Sequence, residues 1–235
     1  MRTWIFAGMC DKSDLLMYLC KILANGGSKV LLADAAHHAK YTHYISRVDA
    51  SLNLAEFGGF DIATRFANYD SLLEYIEKQE GASYDYMILD VEQPEYLRPE
   101  HWHGADARIW VSGFELMGLI QGAEWLKRIA EEAFGDSPPS FHRIYMNVIE
   151  DLTDDSYIES YLDHSGVHWL DEPIRMPWDE LAYALKVENE HAGRLRLKPL
   201  SRHYKRSLME LIRRLTELES RHIRRALRLA ERRHA

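Results

Sequence analysis

Cysteine is nearly absent from this chain of 235 residues, which contains only Cys10 and Cys20. Two cysteines are too few for the disulfide framework of a small secreted domain, so a reducing compartment is expected. No stretch approaches the ~20 consecutive apolar residues that a membrane span needs. No basic segment precedes an apolar run at Met1, as it would in a signal peptide. These absences predict a cytoplasmic protein.

Basic residues are scarce outside the C-terminal part of the chain. The whole chain has 29 Lys+Arg and 37 Asp+Glu, for a net charge of -8. Residues 194–235 contain 14 of the basic and 4 of the acidic residues, which leaves 15 basic and 33 acidic residues for the rest. An acidic body with a basic tail indicates that the tail has a binding partner of its own.

Short apolar runs alternate along the chain with stretches of helical periodicity. Each run is continuous rather than alternating, which is typical of strands covered on both faces in a parallel sheet. The order predicts an α/β fold with a doubly wound, mostly parallel sheet of about seven strands and helices on both faces. The predicted strands are 3–7, 30–33, 86–89, 107–111 and 143–146, and the predicted helices are 14–24, 71–80, 118–133 and 156–164.

The last part of the chain has an apolar stripe with an arginine-rich opposite face, which predicts one long amphipathic helix. We therefore divide the chain into an α/β domain of residues 1–201 and a basic amphipathic helix of residues 202–235. A basic helix of this kind suits an acidic protein, a nucleic acid or an anionic membrane surface. The candidate anion-binding or partner-binding residues are Arg213, Arg214, Arg221, Arg224, Arg225 and Arg228.

The segment Phe6–Ser13 has the context of a phosphate-binding loop. A first strand is followed by Gly8 and then by Lys12 and Ser13 at the start of a helix. In such a loop the backbone N–H groups and the helix N-terminus hold phosphate, the lysine neutralises it, and the serine binds Mg²⁺. Further landmarks follow in order: Asp34 after the second strand, Asp90 after the third, and Asn147 later in the chain.

In this order and spacing the chain resembles the ParA/MinD family of P-loop ATPases with a deviant Walker motif. The resemblance implies ATP and Mg²⁺ as cofactors, a homodimer and a role in positioning a bacterial assembly. The implied nucleotide-binding residues are Gly8, Asp11, Lys12, Ser13, Asp34, Asp90 and Asn147. Of these, Ser13 and Asp90 would share the Mg²⁺, and Asn147 would contact the base.

Three hydrolytic parts of the family's pattern are missing. The family's signature lysine falls on Ala7, the glycine before the invariant lysine falls on Asp11, and the aspartate that orients water falls on Ala36. A carboxylate at Asp11 would repel phosphate, by about 4 kcal/mol for each unit charge at about 4 Å and an effective dielectric constant of ~20. No catalytic residue is therefore assigned, and a pocket without bound nucleotide is expected, in which Lys12 pairs with Asp11, Asp34 or Asp90.

Three functional interpretations remain open from the sequence. The first is a pseudo-ATPase that acts as a non-catalytic scaffold or localisation factor, for which the TadZ/CpaE pilus-localisation branch is a similar case. The second is a nucleotide-binding switch with weak or slow ATPase activity. The third is a DNA-binding or membrane-surface module that acts through the basic tail, which would add a peripheral location at the inner membrane.

Overall fold

The protein, seen in a computed structural model that describes residues 1–36, 40–45, 52–79, 83–151 and 154–232, is built on one mostly parallel sheet. The predicted fold class is confirmed. The described residues form nine strands rather than about seven. The additional strands belong to a hairpin and to the far edge of the sheet, and they are too short to give clear apolar runs in the sequence. The strands are β1 (Arg2–Ala7), β2 (Val30–Ala35), β3 (Leu54–Phe57), β4 (Phe60–Ala63), β5 (Tyr86–Val91), β6 (Ala107–Ser112), β7 (Ser140–Val148), β8 (His168–Trp169) and β9 (Ile174–Pro177).

The strand order is β3-β4-β2-β5-β1-β6-β7-β8, and β9 also pairs with β7. All of these pairs are parallel except β3 with β4, which form a hairpin around Gly58 and Gly59. Both glycines have positive φ, at 67° and 97°, which is the conformation that a tight hairpin turn requires. In the register of β2 with β5, Asp34 lies directly beside Asp90 at the carboxyl edge of the sheet.

Helices cover both faces of the sheet, as predicted. The helix expected over residues 118–133 ends at Ile129 and continues as a π-helical turn, Ala130–Phe134. The predicted helix end at Glu80 lies outside the described residues. The α-helices are α1 (Ser13–Asn25), α2 (Thr42–Ile45), α3 (Tyr69–Glu77), α4 (Pro99–Gly104), α5 (Leu116–Ile129), α6 (Asp155–Leu162), α7 (Glu180–Ala192), α8 (Arg202–Leu215) and α9 (Ser220–Arg232).

Two apolar clusters fill the space between the sheet and its helices. One cluster joins the sheet to α1, α7, α8 and α9, and the other joins it to α3, α4, α5 and α6. Side chains alternate between the clusters along each strand, so that Trp4 and Phe6 enter the first and Ile5 and Ala7 the second. This two-sided burial explains why the strand sequences are continuous apolar runs.

The prediction of one long C-terminal helix is wrong, because the described part of the tail forms two helices. The chain turns after Leu215, where Thr216 donates its hydroxyl proton to the Ile212 carbonyl and accepts the Leu218 N–H. The apolar side of α9 packs against α1 and α8 instead of facing solvent. Among the described residues, no helix has both the length and the apolar content to cross a membrane.

Candidate functional site

The loop between β1 and α1 is held against the neighbouring strand by a glycine. Gly8 has φ of +145°, and a Cβ atom built on it would lie 2.0 Å from the Val111 carbonyl oxygen in β6. A side chain at this position would therefore need both a disfavoured backbone conformation and a displaced strand. Gly8 is the predicted loop residue whose identity the local geometry requires.

Lys12 is the N-cap residue of α1, and its side chain reaches Asp90 near the carboxyl end of β5. Its Nζ lies 2.7 Å from Oδ1 of Asp90 and donates a hydrogen bond of 3.1 Å to the Gly8 carbonyl oxygen. Both charged side chains have no exposed surface. Burial would raise the pKa of Asp90, but Lys12 and Lys40 outweigh it and hold the pKa below its ordinary value. Of the three carboxylates predicted as partners of Lys12, the structure therefore shows Asp90.

Asp11 occupies the N-terminus of α1 with its own carboxylate. Its Oδ1 accepts the Ser13 N–H at 3.0 Å and the Ser13 hydroxyl at 2.8 Å. Lys40 Nζ lies 3.0 Å from the same oxygen, and Lys186 donates to Oδ2. Burial raises the pKa of Asp11, yet the two lysines and the Ser13 amide hold it well below its ordinary value. An internal anion thus takes the helix-terminal amide that a bound phosphate would use.

A second layer of contacts links these pairs into one network. Lys40 Nζ is 2.7 Å from Glu92 and 3.4 Å from Asp90, and the Tyr41 hydroxyl donates to Asp90 at 2.7 Å. The contacting side chains comprise three lysines (Lys12, Lys40 and Lys186) and three acidic residues (Asp11, Asp90 and Glu92). Each lysine of the network therefore has a carboxylate partner within the chain itself.

Asp34 lies beside this network and behaves differently from Asp90. It accepts the N–H groups of Ala36 at 3.2 Å and of Tyr41 at 3.0 Å, and no lysine contacts it within ion-pair distance among the described residues. Burial raises the pKa of Asp34 to about 7, and the neighbouring Asp90 charge acts in the same direction. Near neutral pH this carboxyl group is therefore poised between its protonated and ionised forms.

The two predicted magnesium ligands are engaged elsewhere. The Ser13 hydroxyl donates to Asp11, while the two Asp90 oxygens face Lys12 and Tyr41. Among the residues that the structure describes, no group of three or more His, Cys, Asp or Glu side chains is arranged to hold a metal ion. As arranged, Ser13 and Asp90 do not fit a Mg²⁺ ion, which requires free oxygen ligands in octahedral geometry.

Asn147, the predicted base contact, lies at the same edge of the sheet. It is exposed, has φ of +59°, and lines two clefts together with Asp11. The clefts have volumes of about 230 Å³ and 380 Å³. The structure therefore brings all seven predicted nucleotide-binding residues to one edge, with Lys12, Ser13 and Asp90 already paired to other side chains of the chain.

Sequence reasoning missed the residues that close the network. Lys40 and Tyr41 follow β2, Glu92 follows β5, and Lys186 comes from α7. Lys186 is 175 positions from Asp11, so no local pattern links them. The position of Glu92, two residues after Asp90 at the carboxyl end of a central strand, is the one sequence signal that could have identified a member of this group.

The six arginines predicted for the tail divide into two groups. Arg213 and Arg214 bind Glu210, and Arg221 contacts Glu219, so these three already have carboxylate partners. The other three are exposed on α9 and form no ion pair with the described residues; they are Arg224, Arg225 and Arg228.

Large apolar side chains are exposed around the loop between β1 and α1. Two groups flank the clefts that contain Asp11, one at the start of α5 and one at the start of α7. Exposed fractions reach 63% for Met117 and 66% for Leu181. The set comprises Met9, Leu116, Met117 and Ile120 on one side and Trp178, Leu181 and Tyr183 on the other. Exposed apolar groups at this density are typical of protein contact surfaces.

Comparison with known proteins gives matches to solved structures. No protein-family model and no curated protein matches the sequence. A chain of the MinC:MinD cell division protein complex from Aquifex aeolicus matches with a TM-score of 0.64 and 14% identity, over 93% of this chain and 97% of that one. A plasmid partition protein from Borrelia burgdorferi bound to AMPPNP matches with 0.59 and 12%, over 92% and 100%. A ParA family ATPase from Chlorobium tepidum matches with 0.53 and 15%, over 98% and 99%.

Proposed function

Because the chain has the fold of the ParA and MinD ATPases, we propose that it is a non-hydrolysing scaffold, or localisation factor, that helps to position a bacterial assembly through protein contacts. The observation that supports this proposal is the Asp11 carboxylate, which binds the N-terminus of α1 between Lys40 and Lys186. Relatives in the fold include partition and cell division proteins, so a positioning role of the pilus, secretion or partitioning kind suits the chain.

Binding of a triphosphate would require several internal contacts to break. Lys12 would have to leave Asp90, and Asp11 would have to leave the Ser13 amide and both of its lysines. If Asp11 stayed, each phosphate charge at about 4 Å would meet repulsion of about 4 kcal/mol at an effective dielectric constant of ~20. Two such charges equal the ~8 kcal/mol of micromolar binding. Neither ATP nor Mg²⁺ is therefore expected to bind with useful affinity.

Calorimetric titration with ATP and Mg²⁺ tests this proposal directly. The natural chain is expected to show no binding at micromolar concentrations, whereas Asp11→Gly is expected to gain affinity because it frees the Ser13 amide and two lysines. Glu115→Gln serves as the matched control, since Glu115 lines a neighbouring cleft without contacting the loop amides. Micromolar binding by the natural chain that Lys12→Ala abolishes would contradict the proposal and support the nucleotide switch.

The scaffold would bind its partner through the exposed apolar side chains around the loop between β1 and α1. A protein partner, or a second copy in a homodimer, would cover Met117 on one side and Leu181 on the other. The oligomeric state is measured by light scattering without nucleotide. A dimer that Met117→Glu and Leu181→Glu dissociate would support the homodimer. If the natural chain is already a monomer, the homodimer is excluded, and the partner that covers this surface is a different protein.

A second candidate function is binding of a polyanion through α9. Arg224, Arg225 and Arg228 are exposed and without carboxylate partners among the described residues. Because the apolar side of α9 is covered by α1 and α8, contact with DNA or an anionic membrane would depend on charge alone and weaken steeply with salt. DNA-shift and vesicle-binding assays at two salt concentrations, with all three arginines changed to Gln, test it. Binding that survives these substitutions would exclude this surface.

A further inference from the structure

A groove lies beside the contact between the C-terminal end of α1 and α9, at the opposite end of α1 from the loop that contains Asp11. Its volume is about 470 Å³, within the range of small-molecule sites. Buried aliphatic side chains from α1, α8 and α9 form its floor. Leu218, 38% exposed in the turn between α8 and α9, and Leu229 form its sides.

Polar side chains are confined to three positions on the lining. Arg225 and His222 are exposed, and Arg225 forms no ion pair with the described residues. Asn25 donates its amide N–H to the Lys21 carbonyl, but its Oδ1 is buried and accepts no hydrogen bond among the described residues. The groove thus offers an apolar floor and a cationic donor, whereas Oδ1 of Asn25 has no surface open to a ligand.

We propose that this groove binds a single-chain amphiphile whose head group carries a negative charge. The apolar floor would take the acyl chain, and Arg225 would donate charge-assisted hydrogen bonds to the anion. A peptide segment fits less well, because its backbone N–H and C=O groups would find few partners on this lining. The site lies outside the proposed scaffold surface and does not depend on nucleotide.

Titration of the full chain with 1-dodecanoyl-glycerol 3-phosphate, below its micelle concentration, tests the proposal. Saturable binding of one molecule is expected. Glycerol 3-phosphate, which lacks the chain, and dodecyltrimethylammonium, which has the opposite charge, are each expected to bind at least about tenfold more weakly. Equal binding of the cationic amphiphile would overturn the proposal, and so would the absence of saturable binding.

Variants then locate the ligand. Arg225→Gln is expected to weaken binding by about tenfold, as for loss of a charged hydrogen bond. Arg224→Gln is the matched control, since Arg224 is a neighbouring exposed arginine of α9 that does not line the groove. Equal losses in the two variants would indicate attraction to the general charge of α9 and refute the site.

Filling the groove gives an independent test. Leu229→Trp is expected to abolish binding while thermal unfolding of the protein remains cooperative. Should this variant fail to fold, Leu218→Glu replaces it, because Leu218 is partly exposed and a carboxylate there would repel the anionic head. Unchanged affinity in a folded filling variant would place the ligand elsewhere and overturn the proposal.

Discussion

The buried ion pair between Lys12 and Asp90 predicts that Lys12 stabilises the fold itself. Lys12→Ala would leave the Asp90 carboxylate buried without its nearest cation. Removal of one partner from a buried pair costs about 3–5 kcal/mol of unfolding free energy. Here Lys40 remains 3.4 Å from Asp90 and Tyr41 still donates to it, so the lower end, about 3 kcal/mol, is expected.

Urea denaturation at pH 7 measures this loss. The matched control is Lys78→Ala, which removes an exposed lysine 3.9 Å from Glu74 and should have no measurable effect. The double variant Lys12→Met with Asp90→Asn should recover most of the loss, because it leaves neither charge buried alone. A loss below ~1 kcal/mol in Lys12→Ala would refute the assignment of Lys12 to a structural pair.

Three further predictions concern the same elements. First, burial raises the pKa of Asp34 from an ordinary 3.8 to about 7, so between these pH values the folded state binds a proton that the unfolded state has lost. The stability that this proton contributes is fully present below pH 3.8 and is lost as the pH rises to 7. Asp34→Asn should remove up to about 1.4 kcal/mol per pH unit of that slope in urea denaturation between pH 5 and 7, and an unchanged slope would contradict the assignment. Second, Gly8→Ala should cost more than ~2 kcal/mol because its Cβ would lie 2.0 Å from the Val111 carbonyl, whereas Gly118→Ala, with open space around a helical glycine, should be neutral or stabilising by ~0.5–1 kcal/mol. Third, truncation after Leu218 should lower thermal stability sharply, because it uncovers the face of α1 under Ile223 and Leu227, and an unchanged melting temperature would show that α9 is an independent appendage.

The strands of the central sheet were predictable because their sequences report burial on both faces. The run beginning at Val30 and the run beginning at Tyr86 start where β2 and β5 start, and only their carboxyl ends extend further than predicted. Those ends contain Asp34 and Asp90, and the apolar runs in the sequence stop before these charged residues. Two-residue β8 and the β3–β4 hairpin are too short to produce a clear pattern.

The break between α8 and α9 could not be seen in the apolar periodicity. Leu215, Leu218 and Ile223 continue the stripe across the break, and the turn depends on hydrogen bonds of the Thr216 side chain. Leu218 belonged to the predicted apolar stripe, yet it is 38% exposed because the chain leaves the helical path there. A periodic pattern records which side chains are apolar and does not record where the backbone turns.

The sequence predicted the residues of the loop and of the strand ends at the site, but not the lysines that contact them. The order of landmarks placed Lys12, Ser13 and Asp90 together, and the exclusion of phosphate by the Asp11 carboxylate stays a prediction. The direction of the Lys12 side chain and the two lysines on Asp11 were not predicted, since Lys40 and Lys186 reach the site from distant segments. An ion pair between distant segments produces no periodic pattern in the sequence, so its two partners can be identified only once the fold is known.

A helix N-terminus and a buried lysine beside it are stabilised by negative charge whether or not a nucleotide is present. A bound phosphate or the chain itself can supply that charge. This chain supplies it, with Asp11 at the helix and Asp90 beneath Lys12. Three lysines now face three carboxylates, so removal of the single Asp11 carboxylate would leave one positive charge unmatched. Asp11→Gly therefore tests whether this one carboxylate keeps phosphate away from the loop between β1 and α1, and unchanged phosphate affinity in that variant would show that it does not.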